Sequence, residues 1–228
     1  MWLFTRLLIP TLFFLVSRAD LLPAEQEPSP SPAARWDQRY SAEHYIYGKE
    51  PVVFLREHIG DLGKGRALCL AAGEGRNAVY LARQGFEVVA VDFSEKGLEK
   101  CSELAREHGV EVQTVVADLR EYDMGRERYD LITDFYYYQP DLFPRVMAAL
   151  KPGGVFILQS FSVDQPATSR FGPRHPAYLI RPNQLLQYFA QYRIRYYEDT
   201  VVDLDEGMHR GPGAVIRLIA EKSRVDEP

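Results

Sequence analysis

The chain has few cysteines, and this scarcity limits its class. Cys69 and Cys101 are the only two among 228 residues, too few for the disulfide framework of a small secreted domain. Cys69 falls in a predicted central strand, and Cys101 falls in the helix predicted after Asp92. We therefore expect two reduced, buried thiols.

The sequence also lacks an excess of basic residues. It has 27 Lys and Arg against 32 Asp and Glu, so its formal net charge is −5. Broad nucleic-acid binding needs a basic face that releases counterions from phosphates, and we expect no nucleic-acid partner. The histidines and cysteines show neither an H-E-x-x-H nor a C-x-x-C spacing, and we expect no metal site.

The apolar run near the amino terminus is too short to span a bilayer. It lies at 7–16, between Arg6 and Ser17-Arg18-Ala19, whereas a spanning helix needs about 17 to 25 residues. The pattern is typical of a secretory signal. We divide the chain into a signal-like segment at 1–19, a flexible Pro/Glu/Ser linker at 20–35, a domain at 36–222 and a tail at 223–228. Three interpretations of the signal-like segment stay open: a cleaved signal, an uncleaved anchor, and a start codon placed too far upstream. Any membrane contact is expected through this segment only.

The most informative stretch is 67–82, ALCLAAGEGRNAVYLA. An apolar run gives way to Gly73-Glu74-Gly75 and then resumes with helical spacing, which predicts a strand, a tight turn and a helix. Glycines let the backbone approach a ligand closely, and the following helix presents unpaired amides and the positive end of its dipole. The loop is therefore predicted to bind a nucleotide-like cofactor.

Two carboxylates follow at the ends of predicted strands. Asp92 comes 19 positions after Gly73, close to the spacing at which an acidic residue accepts hydrogen bonds from ribose hydroxyls. Asp118-Leu119 ends the next predicted strand, where a carboxylate is placed to accept from an adenine amino group.

The charge of the loop bears on which cofactor it binds. Residues 73–78 also fit the dinucleotide pattern G-x-G-x-x-G/A. Glu74 would repel a pyrophosphate at the helix entrance, whereas a cofactor with a sulfonium and an ammonium group tolerates a carboxylate there. This favours S-adenosylmethionine over NAD.

With these residues the sequence resembles the class I S-adenosylmethionine-dependent methyltransferases, from about Trp36 to about Lys222. Another hallmark of that family is the turn Leu150-Lys151-Pro152-Gly153-Gly154. The segments that most resemble its tellurite-resistance and thiopurine type are Trp36-Asp37-Gln38-Arg39-Tyr40, Tyr47-Gly48-Lys49-Glu50-Pro51 and Gly207-Met208-His209-Arg210. The resemblance implies S-adenosylmethionine as cofactor and a small-molecule methyl acceptor. Because S-adenosylmethionine is made in the cytosol, the cofactor favours a cytoplasmic catalytic domain. The signal-like amino terminus favours export or a membrane tether, so the localisation stays open.

Two departures from the family pattern fall in the loop. Cys69 stands where the family has an acidic residue, and Ala71 stands where it has a glycine. Ala71 adds one methyl group, so we expect a loop that still accepts the methionine part of the cofactor but with lowered affinity.

The predicted elements alternate as a parallel sheet with crossover helices requires. Strands are predicted at 67–71, 87–91, 110–117, 129–133, 155–161, 193–202 and 214–221, and helices at 76–84, 95–108, 141–150 and 183–191. The last two strands form a hairpin. The predicted fold class is α/β, a Rossmann-like seven-stranded, mostly parallel sheet with helices on both faces and an antiparallel C-terminal hairpin.

Aromatic residues are expected around the cofactor. The run 134–140 follows the fourth strand, where open α/β sheets place their ligands, and aromatic faces there attract a sulfonium by about 0.5 to 2 kcal/mol. Plain packing is the competing interpretation. The predicted cofactor-binding residues are Tyr47, Ala71, Gly73, Gly75, Asp92, Phe93, Asp118, Leu119 and Phe135.

The predicted catalytic residues are His209 and Arg210, between the last two predicted strands. The family resemblance implies a role for this pair: His209 as proton acceptor or orienter of the acceptor, and Arg210 as an anion clamp. Several cations of the polar segment 163–182 would also favour an anionic acceptor, namely Arg170, Arg174, His175 and Arg181.

These patterns predict methyl transfer from S-adenosylmethionine to a small soft nucleophile such as a thiol or a chalcogen oxyanion. Two alternatives stay open. One is an exported or degenerate nucleotide-binding module without methyl transfer, and the other is a nicotinamide-dependent oxidoreductase.

Overall fold

A single seven-stranded sheet organises the chain in this computed structural model, which describes residues 31–60 and 62–224. The strands are β1 (Arg66–Leu70), β2 (Glu87–Asp92), β3 (Gln113–Val116), β4 (Tyr129–Phe135), β5 (Leu150–Phe161), β6 (Arg193–Glu206) and β7 (His209–Glu221). Their order in the sheet is β3-β2-β1-β4-β5-β7-β6.

The sheet is parallel except at one edge. Strands β1 to β5 run parallel, while β7 is antiparallel to both β5 and β6. In the register, Leu70 at the end of β1 lies beside Val91 of β2 and Asp134 of β4. The carboxyl ends of the central strands therefore meet at one edge, where such sheets bind ligands. The predicted fold class is confirmed.

Helices cover both faces of the sheet. They are α1 (Pro32–Tyr40), α2 (Val53–His58), α3 (Arg76–Arg83), α4 (Glu95–Glu107), α5 (Phe143–Ala149), α6 (Gln165–Thr168) and α7 (Gln184–Tyr188). The apolar sides of α2, α3 and α4 pack on one face, and those of α5 and α7 pack on the other. Because β1 and β2 are covered on both sides, their residues are apolar in near-continuous runs.

The C-terminal hairpin is longer than predicted. A two-residue turn, Gly207-Met208, joins β6 to β7, so His209 and Arg210 lie in a strand and not in an irregular segment. Gly211 and Pro212 misled the sequence prediction because they are typical of turns. This part of β7 pairs only with β6, and a proline is tolerated where a strand is paired on one side.

Other boundaries also differ from the prediction. Helix α1 begins at Pro32 after the N-cap Ser31, whose hydroxyl oxygen accepts from the amide of Ala34 at 3.2 Å. The helix thus starts inside the predicted linker. Strand β5 begins at Leu150, inside the predicted turn, and α5 follows a short 3₁₀ turn at Pro140–Leu142.

The signal-like segment and most of the linker lie outside the described residues, as does most of the tail. Across 31–60 and 62–224, no helix has the length and apolar character needed to cross a membrane. Both cysteines are buried and unbridged, as predicted.

Candidate active site

The loop after β1 has an unusual backbone. Ala71, Gly73 and Gly75 all have positive φ, at 47°, 52° and 87°. A Cβ on Gly75 would lie 2.3 Å from the Sγ of Cys101, so α4 packs too closely for any side chain there. Ala71 has a side chain in the left-handed region, which costs about 1 to 2 kcal/mol. Strain of this kind is typical of ligand-binding loops.

Asp92 joins this loop to the end of β2. Its Oδ2 accepts from the amide of Gly73 at 2.8 Å, and its Oδ1 accepts from the amide of Ser94 at 2.8 Å. Burial raises the pKa of the Asp92 carboxyl, and these two amides oppose the rise. Phe93, between Asp92 and Ser94 in the sequence, is half-buried. The predicted ribose-binding carboxylate is thus fixed directly beside the glycine loop.

Asp118 is differently placed. It is half-exposed, and its carboxylate is held by the amide of Arg120 at 2.9 Å and by the guanidinium of the same residue, Nη2 to Oδ2, at 2.5 Å. These bonds lower the pKa of Asp118. A ligand amino group would therefore share this carboxylate with Arg120. Leu119 is buried in the core, so only its backbone can face a ligand.

The first helix covers the loop. A Cβ on Gly73 would lie 2.7 Å from the hydroxyl of buried Tyr40. Asp37 accepts from the Oγ of Ser94 at 2.7 Å and from the amide of Lys96 at 3.1 Å. The sequence analysis noted this segment only as a mark of resemblance. The aromatic spacing of residues 36, 40 and 47 was the signal that could have identified it.

Tyr47 and Glu74 connect the segment before α2 to the loop. The amide of Tyr47 donates to Glu74 at 3.2 Å, and the carbonyl of Tyr47 accepts from Arg76 at 2.9 Å. Glu74 is buried and forms a 2.9 Å ion pair with Lys100. The Glu74 charge, from which S-adenosylmethionine was preferred over NAD, is thus compensated by Lys100 inside the protein.

His209 lies in an aromatic pocket. Its ring centroid is 4.6 Å from that of Tyr136, 5.1 Å from those of Tyr47 and Phe161, and 5.5 Å from that of Phe171. Its Nδ1 is buried and has no hydrogen-bond partner within the described ranges. Burial lowers the pKa of His209 to about 4, and the charges of Arg76 and Arg39 add to this effect. The imidazole is therefore neutral at physiological pH, and its buried Nδ1 is left without a hydrogen-bond partner in the described part of the chain.

Arg210 does not share that pocket. Successive side chains of a strand point to opposite faces, so Arg210 lies outside, where its side chain is 76% exposed and pairs with Asp205 at 3.1 Å. The prediction that His209 and Arg210 lie at one site is therefore corrected: the two side chains lie on opposite faces of the hairpin. The cations predicted from segment 163–182 are also exposed: Arg170, Arg174, His175 and Arg181.

The aromatic run after β4 is divided between core and site. Phe135 is buried in the core on the α3 and α4 face, whereas Tyr136, with φ of 64°, reaches His209. The hydroxyl of Tyr136 accepts from Gln159 at 2.6 Å and donates to Glu206 at 2.8 Å. Sequence reasoning missed Gln159 and Glu206. A polar residue inside the apolar strand predicted at 155–161 was the signal for Gln159, whereas nothing local distinguishes Glu206 from a surface residue.

The comparisons with known proteins agree with this geometry. Residues 67–154 match the family model described as a methyltransferase domain. Over 169 residues the chain is 23% identical to the probable S-adenosyl-L-methionine-dependent methyltransferase TehB of Haemophilus influenzae, covering 69% of this chain and 57% of that protein. Residues 67–154 thus form a methyltransferase domain, and the predicted resemblance to the class I S-adenosylmethionine-dependent methyltransferases is confirmed. The crystal structure of that organism's TehB matches the fold of this methyltransferase with a TM-score of 0.63 at 17% identity, covering 84% of this chain and 67% of the other.

A second relative carries a different name. The methyltransferase is 25% identical over 156 residues to hemagglutinin 1 of Eikenella corrodens, covering 64% of this chain and 50% of that protein. The chain thus spans about half the length of the curated relatives it matches. The predicted class and its cofactor, S-adenosylmethionine, are confirmed, and an oxidoreductase is not favoured.

The residues at the sheet edge fit this cofactor. The strained loop of residues 71–75 offers backbone at close range, and Asp92 is a buried carboxylate whose oxygens can accept further hydrogen bonds. The aromatic rings of Tyr47 and Tyr136 both contact the ring of His209. Their faces would stabilise a sulfonium by cation–π attraction.

Proposed function

We propose that this methyltransferase acts on a small neutral nucleophile with an acidic proton, and that a thiol is the acceptor class. The observation that carries the proposal is the buried imidazole of His209, neutral and with an unpartnered Nδ1 beside the cofactor loop. Among the soft nucleophiles predicted from the sequence, a chalcogen oxyanion fits less well. Arg210 and the cations of segment 163–182 lie outside the pocket, and Arg76 is already paired with Glu206.

His209 would orient the acceptor before it accepts a proton. The Nδ1 of the neutral ring accepts a hydrogen bond from the thiol, and the surrounding rings of Tyr136, Phe161 and Phe171 exclude water. The cofactor supplies an electrophilic methyl group on a sulfonium that leaves as a neutral thioether. As the new carbon–sulfur bond forms, the proton on the acceptor sulfur becomes strongly acidic and passes to Nδ1, so a base with a pKa of about 4 is sufficient.

The proposal is tested with a panel of acceptors. The protein would be incubated with S-adenosylmethionine and alkyl thiols, aryl thiols, phenols, selenite or tellurite, and methylated products would be identified by mass spectrometry. We expect methylation of thiols and a fall in turnover of about 10² to 10⁴ in His209→Ala, with cofactor affinity nearly unchanged. Methylation of the oxyanions alone, or parental turnover in His209→Ala, would contradict the proposal.

A further inference from the structure

Glu206 lies opposite His209 across the tip of the C-terminal hairpin. The two residues form the last pair of the β6–β7 ladder, and directly opposite residues project their side chains from the same face. Both are buried, and the side chain of Glu206 is only 3% exposed. A carboxylate buried this deeply needs partners that compensate the cost of its desolvation.

Its partners come from three other segments. Arg76 of α3 lies 3.2 Å from its Oε2, the hydroxyl of Tyr136 donates to the same oxygen at 2.8 Å, and the amide of Val53 is 3.4 Å from Oε1. Arg76 directly follows Gly75 of the cofactor loop and also donates to the carbonyl of Tyr47. One carboxylate therefore links the cofactor loop, the residue after β4 and the hairpin that holds His209.

The tip of the hairpin is also fixed by close packing. A Cβ on Gly207 would lie 2.3 Å from the carbonyl carbon of Tyr47, and the amide of Met208 donates to the carbonyl of Ile46 at 3.0 Å. Gly207 has a positive φ of 63°. The backbone beside Glu206 thus has little freedom, so the position of its carboxylate is set by the fold.

We infer that Glu206 is a positioning residue of the transfer site: its carboxylate holds Arg76 and the Tyr136 hydroxyl against His209, and thereby ties the surroundings of the imidazole to the cofactor loop. Its effect on turnover rests on the proposed role of His209. Its effect on the imidazole itself does not depend on that role.

Charged and titratable groups face His209 from each packed element. They are Arg76 of α3, Arg39 of α1, Glu206 of β6, and the hydroxyls of Tyr47 and Tyr136. Burial lowers the pKa of His209 most, and the charges of Arg76 and Arg39 lower it further. Without the Glu206 charge, the positive charge of Arg76 would act on the imidazole uncompensated, and without Arg76 that effect would disappear.

The first test is an NMR titration of the His209 ring in the intact protein, which needs no methyl acceptor. Glu206→Gln should lower the pKa of His209 and Arg76→Met should raise it, by about 1 in each case. Asp130→Asn is the matched control, because it removes the charge paired with Lys151 at 2.7 Å near the start of β4, whereas Tyr136 follows the other end of that strand. Shifts of the His209 pKa in the same direction for both site variants would overturn the inference. If Glu206→Gln did not fold, the absence of a shift in Arg76→Met would still overturn it.

The second test separates position from charge. Glu206→Asp keeps the charge but retracts the carboxylate by one methylene, so it cannot reach both Arg76 and Tyr136. We expect kcat on the best acceptor to fall at least tenfold, while the pKa of His209 and the affinity for S-adenosylmethionine stay near the parental values. Parental kcat in this variant would overturn the positioning role. An inactive parent protein, or an unaffected His209→Ala variant, would instead count against the proposed function and leave the titration result standing.

Discussion

Asp92 accepts a hydrogen bond from the amide of Gly73 at 2.8 Å, and this bond fixes the end of β2 to the cofactor loop. The other carboxylate oxygen is bonded to Ser94, so the side chain has a structural role in addition to the predicted contact with the ribose. Substitution at this position should therefore affect both stability and cofactor binding.

We predict that Asp92→Ala weakens S-adenosylmethionine binding by about 1.5 to 3 kcal/mol for each ligand hydrogen bond lost. The variant should also be less stable, because two buried amides lose their acceptor. Calorimetry measures the affinity and thermal unfolding measures the stability. Asp130→Ala is the control: Asp130 accepts from the amide of Arg66 at 2.8 Å at the opposite end of β4, so its loss should lower stability only. Equal cofactor affinity in both variants would contradict the ribose role.

Ala71 offers a prediction in the opposite direction. Its φ of 47° is one that glycine adopts without strain. We expect Ala71→Gly to tighten cofactor binding and to raise stability by up to about 1 kcal/mol, the strain relieved less the added chain entropy. Ala72→Gly, at the next residue and without positive φ, should instead lower stability by about 0.5 to 1 kcal/mol. Calorimetry measures the cofactor affinity of the two variants and denaturant titration measures their stability. Equal changes in both variants would show that strain at residue 71 is unimportant.

Much of the fold could be predicted because the central strands are apolar runs separated by clear turn and helix signals. The predicted strand at 87–91 differs from β2 by one residue, and the helix at 95–108 ends within one residue of α4. The hairpin was shortened because Gly211, Pro212 and Gly213 are typical of a loop. Their place in β7 depends on pairing with β6, which is a tertiary contact that local sequence does not encode.

The candidate site could be predicted only where a motif has a fixed spacing. Asp92 was found by its distance from Gly73. Glu206 could not be found in this way, because it lies 130 positions from Arg76 and is buried only through the packing of the hairpin against the loop. His209 and Arg210 were predicted to share one site because both were placed in a loop, whereas in β7 their side chains point to opposite faces.

His209 should make stability depend on pH. Its pKa is about 4 in the folded protein against 6.5 in an unfolded chain. Between these values the unfolded chain binds more protons, so stability rises with pH. The contribution of neutral His209 to the free energy of unfolding is complete above about pH 6.5. It is lost as the pH falls toward 4, by about 3 kcal/mol in all. Denaturant titrations of His209→Phe should show a flatter profile over this window, whereas exposed His108→Gln should keep the parental slope.

Arg210→Ala should leave turnover within about twofold of the parent, because an exposed ion pair contributes little. His209→Ala, one residue earlier, should lose about 10² to 10⁴. Steady-state rates on the same acceptor compare the two variants, and their cofactor affinities serve as the internal control. A large loss of kcat in Arg210→Ala would mean that the exposed face of the hairpin takes part in acceptor binding.

The contact of α1 with the cofactor loop yields the last prediction. Asp37 holds the Oγ of Ser94 and the amide of Lys96, next to Asp92 and Gly73. Asp37→Ala removes both bonds and should weaken S-adenosylmethionine binding by about 1 to 2 kcal/mol, since the helix would cover the loop less tightly. Exposed Arg35→Ala on the same helix should have no effect. Removal of residues 1–30, which leaves the N-cap Ser31 in place, should also preserve cofactor affinity and the thermal midpoint. If Asp37→Ala bound cofactor as tightly as Arg35→Ala, α1 would be a packing element without a part in the site.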